Sequence, residues 1–234
     1  MGVNISHGAG QIVFGLAACG PSLAALVLWL RRPNERIRGA GRTTWYAVLA
    51  GLLLGMAAPT ISGLVLHAGS LPTVGTGIAS LVAGMGGPVL AFAFIMISGP
   101  LSEEFGWRGY VQPRLLQRLG PIPTALVLGS CWGIWHLPLF LLPGTGQHQI
   151  GLLTIGGLCF FIEIISMTFV ILFVSHRLRG GVWAAIAAHA DWNAMDGLMP
   201  FTGSTGALLE AGILVMLALG SALMLRRQPN SPRS

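Results

Sequence analysis

Long apolar runs constrain the fold of this chain more than any other feature of its sequence. Between Ile12 and Leu225 they extend for about 20 residues each, which is the length that an α-helix needs to cross a bilayer. Transmembrane strands are about half as long and alternate in polarity. With 53% hydrophobic and 9% charged residues, the composition lies outside the range of soluble globular proteins. The sequence therefore predicts an all-α polytopic membrane helix bundle.

Seven spans are predicted, and an eighth helix could lie within 69–87. Gly99-Pro100 interrupts the third span, so we expect the helix to restart there with Ser102 as its cap. Residues 1–234 are expected to form one integral membrane domain, and 228–234 a disordered tail. The seven spans are approximately 12–30, 45–66, 88–118, 123–142, 151–174, 182–199 and 207–225.

The basic residues of the chain mark its topology. All 13 are arginines and the net charge is +6, which in a soluble domain would suggest nucleic acid. Here the arginines cluster in loops and toward the ends of spans, and alternation of the spans places every cluster on one side of the membrane. The positive-inside rule assigns that side to the cytoplasm. We therefore expect an outside amino terminus and a cytoplasmic carboxy terminus, most simply in a bacterial plasma membrane, and no nucleic-acid partner.

Polar and ionisable residues inside the apolar runs are the main functional candidates. Such groups are costly in a membrane helix and usually face a polar cavity. They occur in three separate spans. The candidates are Glu103, Glu104, Arg108, His136, His189 and Asn193.

A depth estimate tests whether these side chains could meet. At ~1.5 Å per helical residue, Glu103 lies roughly 16 Å from Arg114, and His189 roughly 15 Å from Arg179. His136 lies about 20 Å from the start of its span, a comparable depth once tilt is allowed. We therefore expect the three side chains to line one cavity that faces the cytoplasm.

Structural roles are the alternative for each candidate. Glu104 and Arg108 are four residues apart and could form only an intrahelical ion pair. A lone histidine could serve as a hydrogen-bonded tie between helices, and Asn193 could hold helices together. The coincidence of acids, histidines and an amide at one depth favours a shared site over separate structural contacts.

Such a group of side chains could hydrolyse a peptide bond. A buried carboxylate can take a proton from water that a histidine positions, while a second histidine and an amide stabilise the oxyanion. Alternatively, Glu103, His136 and His189 could hold Zn²⁺, which would itself activate the water. The residue types alone leave both possibilities open.

The acids Glu163, Asp191 and Asp196 also lie in the spans and have no assigned role. Glu163 stands alone in the fifth span and could support the site or carry a coupling proton. We expect Asp191 and Asp196 to lie on other faces of their helix than His189, near the outer surface.

Three motifs together resemble the CAAX protease and bacteriocin-processing (Abi, CPBP) family of intramembrane endopeptidases, which includes the type II CAAX prenyl proteases. Glu103, Glu104 and Arg108 match its Glu-Glu-x-x-x-Arg motif. Trp132 and His136 match an aromatic-x-x-x-His motif in which phenylalanine is the commoner aromatic residue. His189 and Asn193 match His-x-x-x-Asn. The resemblance covers 88–193, which we take as the catalytic core.

The resemblance implies a role for each of these residues. Glu103 would activate water with His136, while Glu104 and Arg108 would support the site. His189 and Asn193 would form the oxyanion hole. Family members have been described both as metalloproteases and as metal-independent glutamate proteases, and we expect the metal-independent form, with no cofactor. The family usually has about eight membrane helices.

The expected function is therefore an intramembrane endopeptidase that cuts a peptide or membrane-protein substrate near the cytoplasmic side. One alternative is a non-enzymatic immunity or scaffold protein of the same fold. Another is a proton-coupled transporter with a relay of four side chains. The relay residues would be Glu103, His136, Glu163 and His189.

Overall fold

The computed structural model describes residues 17–31, 43–68, 71–97, 99–199 and 203–226. Regular structure in these ranges is helical throughout, with no strand. Two π-helical turns, at Trp107–Val111 and Phe173–Arg177, and a 3-10 turn at Leu137–Leu141 interrupt the α-helices. The α-helices are α1 Gly20–Arg31, α2 Trp45–Leu66, α3 Leu71–Gly84, α4 Pro88–Ile97, α5 Pro100–Gly106, α6 Gln112–Leu119, α7 Pro121–His136, α8 Gly146–Ile150, α9 Ile155–Leu172, α10 Gly181–Leu198 and α11 Ser204–Arg226.

Within the described ranges, five helical segments are long and apolar enough to cross a membrane. This finding confirms the prediction of an all-α integral membrane protein. The predicted count of seven to eight crossings stays a prediction, and residues 228–234 lie outside the described ranges. The five segments are Trp45–Leu66, Pro88–Leu119, Pro121–Leu141, Ile155–Arg177 and Ser204–Arg226.

Helix α9 forms the centre of the bundle. In an 18-residue window of its segment, Ile155–Arg177, 61% of the residues are buried, whereas the corresponding share in the other four segments is at most 41%. Ile164, Met167 and Ile171 are at most 1% exposed and pack in the main apolar cluster with residues of α2, α7, α10 and α11. The surrounding helices leave their outer faces apolar and exposed, as expected for a surface in contact with lipid.

Close contact between α2 and α10 depends on glycine. A Cβ atom at Gly51 would lie 2.6 Å from the carbonyl oxygen of Ala184, and one at Gly55 would overlap the carbonyl of Ala188. Small residues at four-residue spacing allow such backbone approach in membrane helices. The contact fixes the position of His189, which follows Ala188 in the chain.

The third span breaks where the sequence predicts. Helix α4 ends at Ile97 and α5 begins at Pro100, with Gly99 rather than Ser102 as its N-cap. The expectation for Ser102 is wrong because proline is preferred at the first helical position, which moves the start upstream. Ser102 instead donates a hydrogen bond to the carbonyl of Gly99 at 2.9 Å.

Candidate active site

The two consecutive acids of α5 have different partners. Oε2 of Glu103 accepts a hydrogen bond from the indole nitrogen of Trp132 on α7, at 2.6 Å. Oε1 of Glu104 accepts from Arg108 at 2.9 Å and lies 2.8 Å from Nδ1 of His189 on α10. Both carboxylates are buried, at 5% and 0% exposure. Adjacent positions on one helix thus connect two different neighbouring helices.

The pair of Glu104 and Arg108 is an ion pair removed from water. Both side chains are fully buried. Two charge-assisted hydrogen bonds to one carboxylate oxygen compensate part of the desolvation cost of that charge. The guanidinium also lies 4.3 Å from the centre of the Trp132 ring, which adds a cation–π contact. The ion pair that the sequence predicts is therefore present, and it also binds a histidine.

The Glu104 contact determines how His189 is oriented. A carboxylate can only accept, so Nδ1 of His189 carries the hydrogen and Nε2 is left for other partners. A Cβ atom built on Gly99 would lie 3.3 Å from this Nε2 and 3.2 Å from Nδ2 of Asn193. The two nitrogen atoms therefore converge on a small space that exists because residue 99 has no side chain.

Trp132 positions a second pair of candidates. Its indole N–H binds Glu103, and its backbone carbonyl accepts a hydrogen bond from Nδ1 of His136 at 2.8 Å. Nε2 of His136 is then the ring nitrogen with an available lone pair when the ring is neutral. The Trp132 ring also makes edge contacts with the rings of His136 and His189, at centroid distances of 5.8 and 5.0 Å.

A cavity of about 1270 Å³ connects these residues. Glu103, His136, His189 and Asn193 line it, whereas Glu104 and Arg108 lie behind its wall. The structure thus brings together the six candidates that the sequence predicts. Four of them line the cavity, and Glu104 contacts one of these four, His189, from behind the wall.

The expectation for Asp196 is wrong. Asp196 lines the same cavity as His189 and Asn193, whereas Asp191 is not among the lining residues. Seven residues make almost two turns of an α-helix, so positions 189 and 196 share a face. The sequence spacing contained this signal.

Sequence reasoning missed Glu210 on α11. This carboxylate is 1% exposed and accepts hydrogen bonds from Trp192 and Ser62, each at 3.3 Å. An acid within the last apolar run was the available signal. Glu210 does not line the cavity, and its hydrogen bonds connect α11 with α2 and α10.

The geometry of the described residues does not fit a three-ligand metal centre. Among them, no three His, Cys, Asp or Glu side chains converge closely enough to hold one ion. The carboxylate on Nδ1 of His189 resembles the outer-shell partner of a metal-bound histidine, but it equally serves to orient an uncoordinated ring.

Comparison with known proteins finds a family match for the central part of the chain. Residues 85–195 match the family described as "Type II CAAX prenyl endopeptidase Rce1-like". This central segment, hereafter the Rce1-like segment, is similar to that family. The family resemblance inferred from the three sequence motifs is thereby confirmed, and the Rce1-like segment includes all six candidate residues.

One relative of the Rce1-like segment is "CAAX prenyl protease 2" from Methanococcus maripaludis, which is 31% identical over 132 residues. The match covers 56% of this chain and 47% of the relative. The chain thus spans about half the length of the curated relative that it matches.

Proposed function

We propose that this protein is an intramembrane endopeptidase that hydrolyses a peptide bond with water activated by Glu103 and His136. One observation carries the proposal: Glu103, His136, His189 and Asn193, from three helical segments, line a single cavity. Buried polar groups that converge in this way in a membrane protein are expected to act on a ligand.

Water activation uses the free positions on Glu103 and His136. Oε2 of Glu103 accepts from Trp132, which holds the carboxylate in place. The carboxylate takes one proton from the water, whose oxygen attacks the carbonyl carbon of the scissile peptide bond. Nε2 of His136 accepts the second hydrogen of that water and aligns it. Glu103 then returns its proton to the leaving amine as the C–N bond breaks.

In the proposed mechanism, His189 and Asn193 stabilise the oxyanion. Their side-chain nitrogen atoms converge beside Gly99, so one substrate oxygen could accept hydrogen bonds from both. A donor role for Nε2 of His189 requires the doubly protonated ring, in which Nδ1–H still donates to Glu104. Glu104 and Arg108 are therefore positioning residues in this mechanism.

Catalysis without a metal is part of the proposal. It is supported by the hydrogen bonds that already orient Glu103, His136 and His189 through Trp132 and Glu104. No step above requires a Lewis acid, because a buried carboxylate and two hydrogen-bond donors supply the base and the oxyanion site.

For topology, we propose seven crossings: the five long segments together with α1 and α10. Apart from Arg108, which is buried beside Glu104, the arginines fall at one end of this proposed arrangement. By the positive-inside rule we infer an outside amino terminus, a cytoplasmic carboxy terminus and cleavage near the cytoplasmic side. The proposed substrate is a peptide or membrane protein of a bacterial plasma membrane. The name of the Methanococcus relative refers to prenylated substrates, so prenylation is a variable to test.

The decisive experiment compares wild type with Glu103→Gln in proteoliposomes, using internally quenched peptides with and without a prenylated cysteine. We expect kcat to fall about 10²- to 10⁴-fold, because the amide cannot act as a base. Glu210→Gln is the matched control, since it neutralises a buried acid that does not line the cavity. A folded Glu103→Gln protein with full peptidase activity would contradict the proposed mechanism.

A further inference from the structure

The proposed mechanism leaves one acid of the cavity unused. Glu163 lies on the face of α9 that also contributes Gly156, Phe160 and Ile164 to the cavity wall. These positions follow the spacing of one helical face. The carboxylate thus borders the same space as Glu103, from the most buried helix of the bundle.

The environment of Glu163 is unusual for a buried acid. The side chain is 8% exposed, and its Oε1 atom is buried without a hydrogen-bond partner among the described residues. Buried polar atoms are nearly always paired, and carboxylates in apolar surroundings especially so. By contrast, both oxygens of the neighbouring Glu210 accept hydrogen bonds. Glu163 therefore lines the cavity and has a buried carboxylate oxygen that no described residue binds.

A second acid extends this part of the wall. Asp196 is exposed and lines the cavity from α10, three residues beyond Asn193. Glu163 and Asp196 interact electrostatically and both line the cavity, whereas Glu210 does not line it. Among the described residues, no arginine lines the cavity. The described residues thus form an acidic region without a cation of their own.

The geometry of the acidic region indicates what kind of cation it could bind. No three ligating side chains of the described residues converge on one point, which disfavours a protein-held metal ion. A long organic cation needs only one or two carboxylates and can extend an apolar stem past Phe160 and Cys159. Lysine and arginine side chains have this form.

The position of the acidic region relative to the proposed reaction can be estimated. Along α9, Glu163 lies roughly 21 Å from Arg177, whereas His189 lies roughly 15 Å from Arg179 on α10. Glu163 is thus about 6 Å farther than His189 from the arginine-rich end. This difference equals the length of about two residues of extended peptide.

We propose that Glu163, assisted by Asp196, is a specificity-determining residue that binds a lysine or arginine side chain of the substrate within about three residues of the scissile bond. This inference rests on the proposed function. A charge-assisted contact in a buried site gives roughly a 10- to 100-fold preference in kcat/KM for the basic residue over a neutral residue of similar length.

The test uses peptides in which lysine, arginine, norleucine or glutamate occupies each of the three positions on either side of the cleaved bond. We expect wild type to prefer the basic residues at one position. Glu163→Gln, which is nearly isosteric, should reduce the ratio of kcat/KM for the lysine peptide over the norleucine peptide toward one. Glu210→Gln, the matched control, should keep the wild-type ratio.

Asp196→Asn provides a second variant at an exposed position, and we expect it to reduce the same ratio by a smaller factor. If Glu163→Gln does not fold, this variant decides the question. The proposal is overturned if wild type shows no basic preference at any position, or if the folded variant keeps the wild-type ratio. If wild type cleaves no peptide and behaves like Glu103→Gln, the proposed function itself has failed.

Discussion

Nδ1 of His189 lies 2.8 Å from Oε1 of Glu104, and the same oxygen accepts a hydrogen bond from Arg108. One carboxylate thus binds a cation of its own helical segment and a histidine from another helix. Neither Glu104 nor Arg108 lines the cavity, so the buried ion pair reaches the proposed site through the ring of His189 and through the cation–π contact of Arg108 with Trp132.

Replacing Glu104 with glutamine tests this connection. The amide removes the carboxylate charge that pairs with Arg108 and contacts Nδ1 of His189. We expect a loss of about 3 kcal/mol in unfolding free energy, because a buried pair is broken. In protein that remains folded, kcat should fall far more than KM changes. A folded variant with wild-type kcat would show that Glu104 does not orient the histidine.

Trp132→Phe tests the hydrogen bond to Glu103 while keeping an aromatic ring against His189. We expect kcat to fall about 10- to 100-fold, since a hydrogen bond to a charged group contributes about 1.5–3 kcal/mol. Trp192→Phe is the matched control, because its indole N–H binds Glu210 outside the cavity wall. Steady-state kinetics of both variants give the comparison, and equal effects would argue against a special role for Trp132.

Gly99→Ala places a methyl group in the proposed oxyanion site. Its Cβ would lie 3.2 Å from Asn193 and 3.3 Å from His189, where a substrate oxygen is expected. We expect kcat/KM to fall about 10²- to 10³-fold, the effect of losing an oxyanion donor. Gly212→Ala, at a glycine whose Cβ would meet open space, is the control and should retain activity. Undiminished turnover in Gly99→Ala would exclude this location for the oxyanion.

Gly55→Ala tests the packing of α2 on α10. The new Cβ would overlap the backbone carbonyl of Ala188, and backbone cannot move aside as a flexible side chain does. We expect a destabilisation of about 1–3 kcal/mol, measured as a lower Tm in detergent. Gly220→Ala in α11 meets no neighbouring atom and should leave the Tm unchanged or slightly higher.

Chelation distinguishes the metal-independent mechanism from one in which Glu103, His136 and His189 hold Zn²⁺. We expect protein purified without chelators to keep its peptidase activity after dialysis against phenanthroline and EDTA. Metal analysis of the same preparation should show no stoichiometric zinc. Loss of activity on chelation that is restored by added Zn²⁺ would contradict the mechanism proposed for Glu103 and His136.

Much of the site could be predicted from the chain alone because its signals are local. Glu103, His136 and His189 stand out as polar residues in apolar runs, and their depth follows from helical rise. The pairing of Glu104 with Arg108 is a four-residue helical contact. Helical periodicity could also have predicted that Asp196 shares a face with His189. The apolar surroundings of Glu210 could have marked it as a buried acid.

The sequence by itself determined that the chain forms membrane helices, since the length and polarity of each run decide that without reference to other segments. It also determined which residue types are available for hydrolysis. Only the tertiary structure decided that Trp132 binds Glu103 and that Glu104 binds His189 across 85 residues. These contacts depend on the rotation and approach of whole helices, which backbone contacts such as Gly55 against Ala188 establish between distant parts of the chain.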